Sequence, residues 1–303
     1  MKEIVGPVIP IPTAFDKNQN VDLDNLLSYV NKIVELGIPN VMTTIGTSRY
    51  NLLKIKECKL VNEAIVKGCE SKAVCIVANP VYGGTDHAIE FAKHSEQIGA
   101  DYFLLYYPER YYGEENIYMF YKKVAASTNL PILIHEMPMR NGYGPGTVQY
   151  SIPLLKRLLD INNIVGFKEE ALDTEYSNQI LEELPHAICI GAGGGMSRYL
   201  YRDHSRGAKA YLGGLGNFYP QIELDFFNFM QNGEIDKATD IVENIELKYF
   251  EKVAPIGWHP HLKYAISLQG WLPEFEREPM KKLDDNEKSI IQDQFELNNF
   301  LLQ

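Results

Sequence analysis

From residue 5 to about residue 215, short apolar runs alternate with amphipathic stretches, and each run closes on glycine, proline or small polar residues. The runs predict strands at Val5–Pro12, Asn40–Thr44, Ala73–Ala78, Tyr102–Tyr106, Ile132–His135, Ile164–Lys168, Ile188–Ile190 and Ala210–Leu212. The stretches between them predict helices near Asp22–Leu36, Lys54–Lys67, Asp86–Ile98, Glu114–Ser127, Ser151–Leu159, Thr174–Leu184, Ser197–Ser205 and Tyr219–Gln231, with Asp22, Asp86 and Ser151 as N-caps. An open parallel sheet rarely needs eight strands, whereas eight close a barrel, so this α/β rhythm predicts a (β/α)8 TIM barrel. After Gln231 the strand signals stop. Glu234–Glu251, Pro260–Leu268 and Asp285–Leu301 carry apolar stripes at helical spacing, which divides the chain into a barrel over 1–231 and a C-terminal helical appendage over 232–303 packed on it.

Composition narrows the function classes. The 303 residues are 45% hydrophobic and 23% charged, as in a soluble globular chain. A net charge of −11 offers no footprint for nucleic acid or an anionic membrane, while a small basic pocket for an anionic metabolite stays open. The apolar runs fall short of a membrane span and Met1 to Pro7 lacks the apolar segment of a signal peptide, so the expected compartment is the cytoplasm. Cys58, Cys69, Cys75 and Cys189 form no CxxC pair and read as reduced core residues.

Candidate chemistry begins with Lys168, at the end of the β-branched run Ile164-Val165-Gly166-Phe167. Apolar surroundings disfavour the ammonium form, so a buried lysine there is either a nucleophile poised to attack a carbonyl or a structural residue that snorkels out or pairs with Glu169. In a barrel the carboxyl ends of the strands form the mouth. Thr13, Thr44, the turn Gly46-Thr47-Ser48, Asn79, Tyr106, Tyr107, His135, Arg140, Gly191 to Gly195, Gly213 and Gly214 join Lys168 at such ends. The amides of Gly46-Thr47-Ser48 suit an anion nest, though glycines there also serve tight turns. Three other features point elsewhere. His259-Pro260-His261 lacks a third ligand, so no metal site is expected; Gly191 to Gly195 is no dinucleotide fingerprint; Glu169, Glu170 and Asp173 read as an acidic helix start without a catalytic role.

Taken together, these residues resemble the dihydrodipicolinate synthase and N-acetylneuraminate lyase family of Schiff-base aldolases nearly end to end. The resemblance is carried by Pro12-Thr13-Ala14-Phe15-Asp16 with Val21-Asp22, Gly46-Thr47-Ser48, Gly99-Ala100-Asp101, Leu130-Pro131-Ile132-Leu133-Ile134, Pro138 with Arg140, Asn163 through Glu169, Gly207-Ala208-Lys209 and Lys263-Tyr264-Ala265. It implies a class I lyase that binds pyruvate or another 2-keto acid as an imine on Lys168, needs neither metal nor organic cofactor, and assembles as a homo-oligomer, a dimer or tetramer. It further implies that Gly46, Thr47 and Ser48 hold the keto-acid carboxylate, that Arg140 binds the second substrate, and that Tyr111 approximates a tyrosine donated across a subunit interface.

The departures are local. Where the family places its relay tyrosine in Tyr-Asn-x-Pro, this chain reads His135-Glu136-Met137-Pro138. A histidine, with a reference pKa of about 6.5, either takes over the proton transfer or merely fills the space. The family's Gly-Thr-Thr-Gly-Glu loop becomes Gly46-Thr47-Ser48-Arg49-Tyr50, where Arg49 either meets an anionic substrate or reaches solvent. Two functions follow as expectations. The first is a lyase of the dihydrodipicolinate synthase or 2-keto-3-deoxy-sugar-acid aldolase or dehydratase type; the alternative is a binding or regulatory barrel that keeps Lys168 without turnover.

Overall fold

The computed structural model describes residues 2–142, 144–171 and 173–301. Among them, eight parallel strands form a closed barrel: β1 (Gly6–Pro10), β2 (Asn40–Thr43), β3 (Val74–Ala78), β4 (Tyr102–Leu105), β5 (Ile132–Glu136), β6 (Ile164–Glu169), β7 (Ile188–Gly191) and β8 (Ala210–Leu212). Each strand lies beside its neighbours in sequence and β8 closes onto β1, the order the βα rhythm predicts. Strands covered on both faces have no polar side to show water, which is why Val74–Ala78 and Tyr102–Leu105 are uninterrupted apolar runs buried throughout. The helices are α1 (Leu23–Glu35), α2 (Ile55–Cys69), α3 (Thr85–Gln97), α4 (Glu114–Ala125), α5 (Ile152–Leu159), α6 (Thr174–Glu183), α7 (Gly195–Arg198), α8 (Pro220–Gln231), α9 (Ile235–Ile241), α10 (Leu247–Val253), α11 (Trp258–Leu268) and α12 (Asp285–Leu297). No helix among the described residues is long and apolar enough to cross a membrane.

Local chemistry sets the helix ends. Asp22 and Ser151 cap α1 and α5 through bonds from Asn25 N and Leu154 N, as expected. Asp86 does not cap α3. Gly84 holds that position and Asp86 falls in the first turn, where its charge suits the helix dipole. Two expected helices are interrupted: the Ser197–Ser205 stretch passes from α7 into a π turn at Tyr199–Asp203, and Glu234–Glu251 is split by a π turn at Val242–Glu246. A short antiparallel ladder of Met139–Arg140 with Thr147–Val148 was not foreseen, since two-residue strands leave no periodicity to read.

The chain divides into two compact units, Met1–Val5 with Val74–Leu212, and Gly6–Ala73 with Gly213–Gln303. The core of the first is built from Ile76, Phe103, Leu104, Leu133, Ile134, Phe167 and Ile190. Here β5 and β6 run in register as Ile134 with Phe167, His135 with Lys168 and Glu136 with Glu169, after a bulge that skips Val165. Gly166 is required beside that bulge, because a Cβ there would stand 2.1 Å from the Ile188 carbonyl oxygen. In the second unit Phe218 packs on Tyr249, Phe295 and Phe300 with ring centroids 5.2 to 5.7 Å apart. Tyr29 seals that unit through its hydroxyl, 2.8 Å from Asn217 Oδ1. Cys58, Cys69, Cys75 and Cys189 are buried and unpaired with one another.

Candidate active site

Lys168 and His135 are both buried and face each other across β5 and β6, with Nζ 2.9 Å from His135 Nε2. Their in-register pairing makes this contact: residues directly opposite on neighbouring strands project to the same face. The edge of Tyr106 backs the imidazole, ring centroids 4.2 Å apart. Burial, and next the Lys168 charge, push His135 down to about 4, so its imidazole is neutral near pH 7 despite the opposing pull of Glu170. Its Nδ1 is buried with no hydrogen-bond partner among the described residues.

Glu170 completes this cluster, which corrects its reading as an acidic helix start. Its Oε2 lies 2.7 Å from His135 Nε2 and also accepts from Lys168 Nζ. The cause is a strand that runs one residue further than its apolar pattern: Glu170 N bonds to Glu136 O at 2.9 Å, extending the ladder. Period-two alternation then puts Glu170 on the face of Lys168 and Glu169 on the other. Burial disfavours the charged form of Glu170, but Lys168 and His135 outweigh it and hold the carboxyl well below the usual range. Its side chain is 40% exposed, so solvent softens that pull. Of the three, Asp173 alone fits the acidic helix start, where it caps α6 by accepting from Glu175 N and Tyr176 N.

Lys168 does not pair with Glu169. That carboxylate is taken by Arg198, whose Nε also donates to Asp203 at 2.7 Å and whose fork reaches the Ala192 carbonyl. Gly191 makes room for this network, since a Cβ there would sit 2.0 Å from Asp203 Oδ2. The same unit brings together Arg140 and Tyr111. Arg140 N donates to Glu109 O at 2.8 Å and Tyr111 N donates to Arg140 O at 3.0 Å, while the Arg140 side chain is 52% exposed and 3.7 Å from Glu109.

In the other unit, the turn after β2 holds Gly46, Thr47 and Ser48 between two residues in the left-handed region, Thr44 (φ 59°) and Arg49 (φ 62°). A β-branched residue there costs about 1–3 kcal/mol, held by a hydrogen bond from the Thr44 hydroxyl to buried Asn62. Ser48 Oγ donates to Ile11 O at 2.7 Å and its amide to Ile45 O at 2.9 Å. Thr47 Oγ1 accepts from Trp258 Nε1 at 3.1 Å, which leaves the Thr47 hydroxyl proton to donate elsewhere. Arg49 neither reaches solvent nor stands open to a substrate. It is wholly buried, donating to Glu276 from Nε at 3.1 Å, to His259 O at 2.9 Å and to Thr47 O. His259 and His261 have ordinary neighbours, Arg49 and the Gly257 carbonyl. A second buried lysine, Lys263, donates to Thr13 O; burial pushes its amine down to about 7, with Glu276 opposing and Arg49 adding to the shift.

Sequence reasoning missed Glu170 and Trp258. For Glu170 the available signal was the Lys-x-Glu spacing of a strand; for Trp258, a residue on a distant helix, there was none.

Comparison with known proteins places this geometry. A sequence model of the dihydrodipicolinate synthetase family matches residues 3–297. A 4-hydroxy-tetrahydrodipicolinate synthase of Chlorobium phaeobacteroides is 24% identical over 297 residues, 97% of each chain. The solved N-acetylneuraminate lyase from Fusobacterium nucleatum aligns with a TM-score of 0.87 at 17% identity, covering 98% of this chain and 99% of that one. A prophage protein of the dihydrodipicolinic acid synthase family from E. coli K12, solved in complex with pyruvate, gives 0.82 at 19% identity over 97% and 99%. With the family model spanning nearly every residue and the barrel shared, the chain belongs to the dihydrodipicolinate synthetase family.

Proposed function

We propose that this protein is a class I lyase that forms a Schiff base between Lys168 and pyruvate or a related 2-keto acid and makes or breaks the adjacent carbon–carbon bond. The observation that carries the reading is the buried contact of Lys168 Nζ with His135 Nε2, an amine beside a group able to move protons. Family membership and the pyruvate complex of a structural relative support it.

The amine attacks the keto carbon once a proton has passed to the imidazole. That proton leaves with the carbinolamine hydroxyl as water, so ammonium and carbonyl become protonated imine and water with no net proton exchange. In cleavage, His135 takes the proton of the substrate hydroxyl as the carbon–carbon bond breaks and its electron pair flows into the iminium, leaving an enamine on Lys168. Gly46, Thr47 and Ser48 are assigned the keto-acid carboxylate, and Arg140, with Tyr111 next to it in the backbone ladder, the second substrate. Both assignments follow from the family resemblance, and bidentate pairing suits Arg140 to a carboxylate. The reaction is either that of a dihydrodipicolinate synthase, which adds pyruvate to an acceptor, or that of an aldolase or dehydratase acting on a 2-keto-3-deoxy-sugar acid.

The test is borohydride reduction with a panel of 2-keto acids, followed by peptide mass spectrometry. A reduced adduct on Lys168, absent from Lys168→Ala, is expected. No adduct, or one on the rival buried amine Lys263, overturns the assignment.

A further inference from the structure

We propose that Glu170 is a further catalytic residue: the counter-ion of the iminium on Lys168 and of the imidazolium on His135, holding the positive charge as it passes between them. This rests on the Schiff-base reading above.

The geometry is specific. A single oxygen, Glu170 Oε2, touches both Lys168 Nζ and His135 Nε2, and those two nitrogens are 2.9 Å apart. The other acids nearby are otherwise engaged: Glu169 and Asp203 by Arg198, with Arg202 Nε 2.8 Å from Asp203, and Glu136 by the Tyr176 hydroxyl at 3.2 Å. Among the described residues, the ionic contacts of Glu170 are to Lys168 and His135.

That placement matches the movement of charge. Before cleavage the cation is the iminium nitrogen of Lys168. As the bond breaks, the electron pair neutralises that nitrogen, and the hydroxyl proton moves to His135, creating an imidazolium. Both cations border the same carboxylate oxygen, so the positive charge shifts by one contact and no uncompensated charge appears in a buried site. The carboxylate also orders the proton carrier. Once Nε2 has taken up the proton, its N–H donates to Glu170 Oε2, which holds the imidazolium by the nitrogen that faces Lys168. Discharge of Lys168 on enamine formation removes one of the influences that depress His135, so the imidazole becomes more basic at the step that needs it.

The experiment compares wild type, Glu170→Gln, Glu170→Asp and Lys168→Ala, each checked for native circular dichroism. Pyruvate is the probe, since exchange of its methyl protons in D2O reports enamine formation without knowledge of the acceptor. Exchange is followed by NMR and borohydride trapping by intact mass from pH 6 to 9. The expected result is a loss of exchange by about 10²-fold or more in Glu170→Gln, with the alkaline limb of trapping moved to lower pH and partial recovery in Glu170→Asp. Exchange within about threefold of wild type, with an unmoved pH profile, would overturn the inference while leaving the Schiff base intact. If wild type itself traps no 2-keto acid, the Schiff-base reading fails, and the inference with it. Should Glu170→Gln misfold, the pH profile of Glu170→Asp decides: an unmoved profile at wild-type rate refutes the role.

Discussion

Glu136 and Glu169 stand opposite each other in register on β5 and β6, both wholly buried, and only Glu169 faces a cation among the described residues. Glu136 Oε1 accepts from Tyr176 at 3.2 Å while its Oε2 is buried without a hydrogen-bond partner. Burial first, then the charge of Glu169, push Glu136 up to about 8. At neutral pH the Glu136 carboxyl therefore keeps its proton, and the barrel wall behind Lys168 avoids a buried carboxylate charge without a cation.

That arrangement makes stability depend on pH with a defined sign. The folded pKa of Glu136 lies above its unfolded value, so its contribution is fully present below about pH 4.5 and is lost as pH rises toward 8. Within that window each pH unit costs up to about 1.4 kcal/mol. Glu136→Gln keeps the shape and removes the titration. Thermal melts at pH 5 and pH 8 should show the variant gaining on wild type at the higher pH; an equal difference at both would mean that Glu136 titrates normally.

A second prediction concerns Arg198, which serves Glu169, Asp203 and the Ala192 carbonyl from within the protein. Arg198→Ala leaves two carboxylates buried without their main partner and should cost about 3–5 kcal/mol in urea unfolding. Gly191→Ala attacks the same network from the other side, because its Cβ would meet Asp203. The two losses should therefore be less than additive. Simple additivity would show that Gly191 and Arg198 act separately.

Arg140 gives the contrasting case. Its side chain is half exposed and its ion pair with Glu109 is long at 3.7 Å, so Arg140→Ala should change stability by less than about 1 kcal/mol. If it binds the acceptor's anionic group, as proposed, KM for that substrate rises by about tenfold or more while pyruvate trapping on Lys168 is unchanged. An unaltered KM for every anionic acceptor tested would remove Arg140 from the site.

How much of this was legible in the sequence depended on periodicity. The eight strands were readable because a parallel barrel buries both faces, so runs such as Val74–Ala78 stay apolar and stop abruptly. Lys168 and His135 were readable as strand-end residues, and pairing them needed only the register. Glu170 was hidden because the ladder continues past the apolar run, where residue type no longer reports strand geometry. Arg49 was misplaced for a related reason: its partner Glu276 is 227 residues away, and no local pattern announces so distant a carboxylate.

His135 supplies the last prediction, since it is where this chain departs from the relay tyrosine of the proteins it resembles. The imidazole is pushed down to about 4 by burial and by Lys168, so its basic form persists well below the ordinary histidine range. For the free enzyme, the acid limb of kcat/KM should then fall below pH 6.5, toward 4, rather than at the value of a solvated imidazole. His135→Phe retains the ring that packs on Tyr106 but cannot move a proton. Loss of general acid–base catalysis should reduce pyruvate release by about 10²–10⁴-fold, while slow imine formation on Lys168, trapped by borohydride over hours, survives. The stability of the variant should also lose a slope. A neutral buried histidine makes wild type less stable as pH falls from 6.5 to about 4, because the unfolded chain takes up the proton that the folded chain refuses. Full turnover in His135→Phe would assign proton transfer to another group, and an acid limb near pH 6.5 in wild type would show that the imidazole is hydrated and not buried against Lys168.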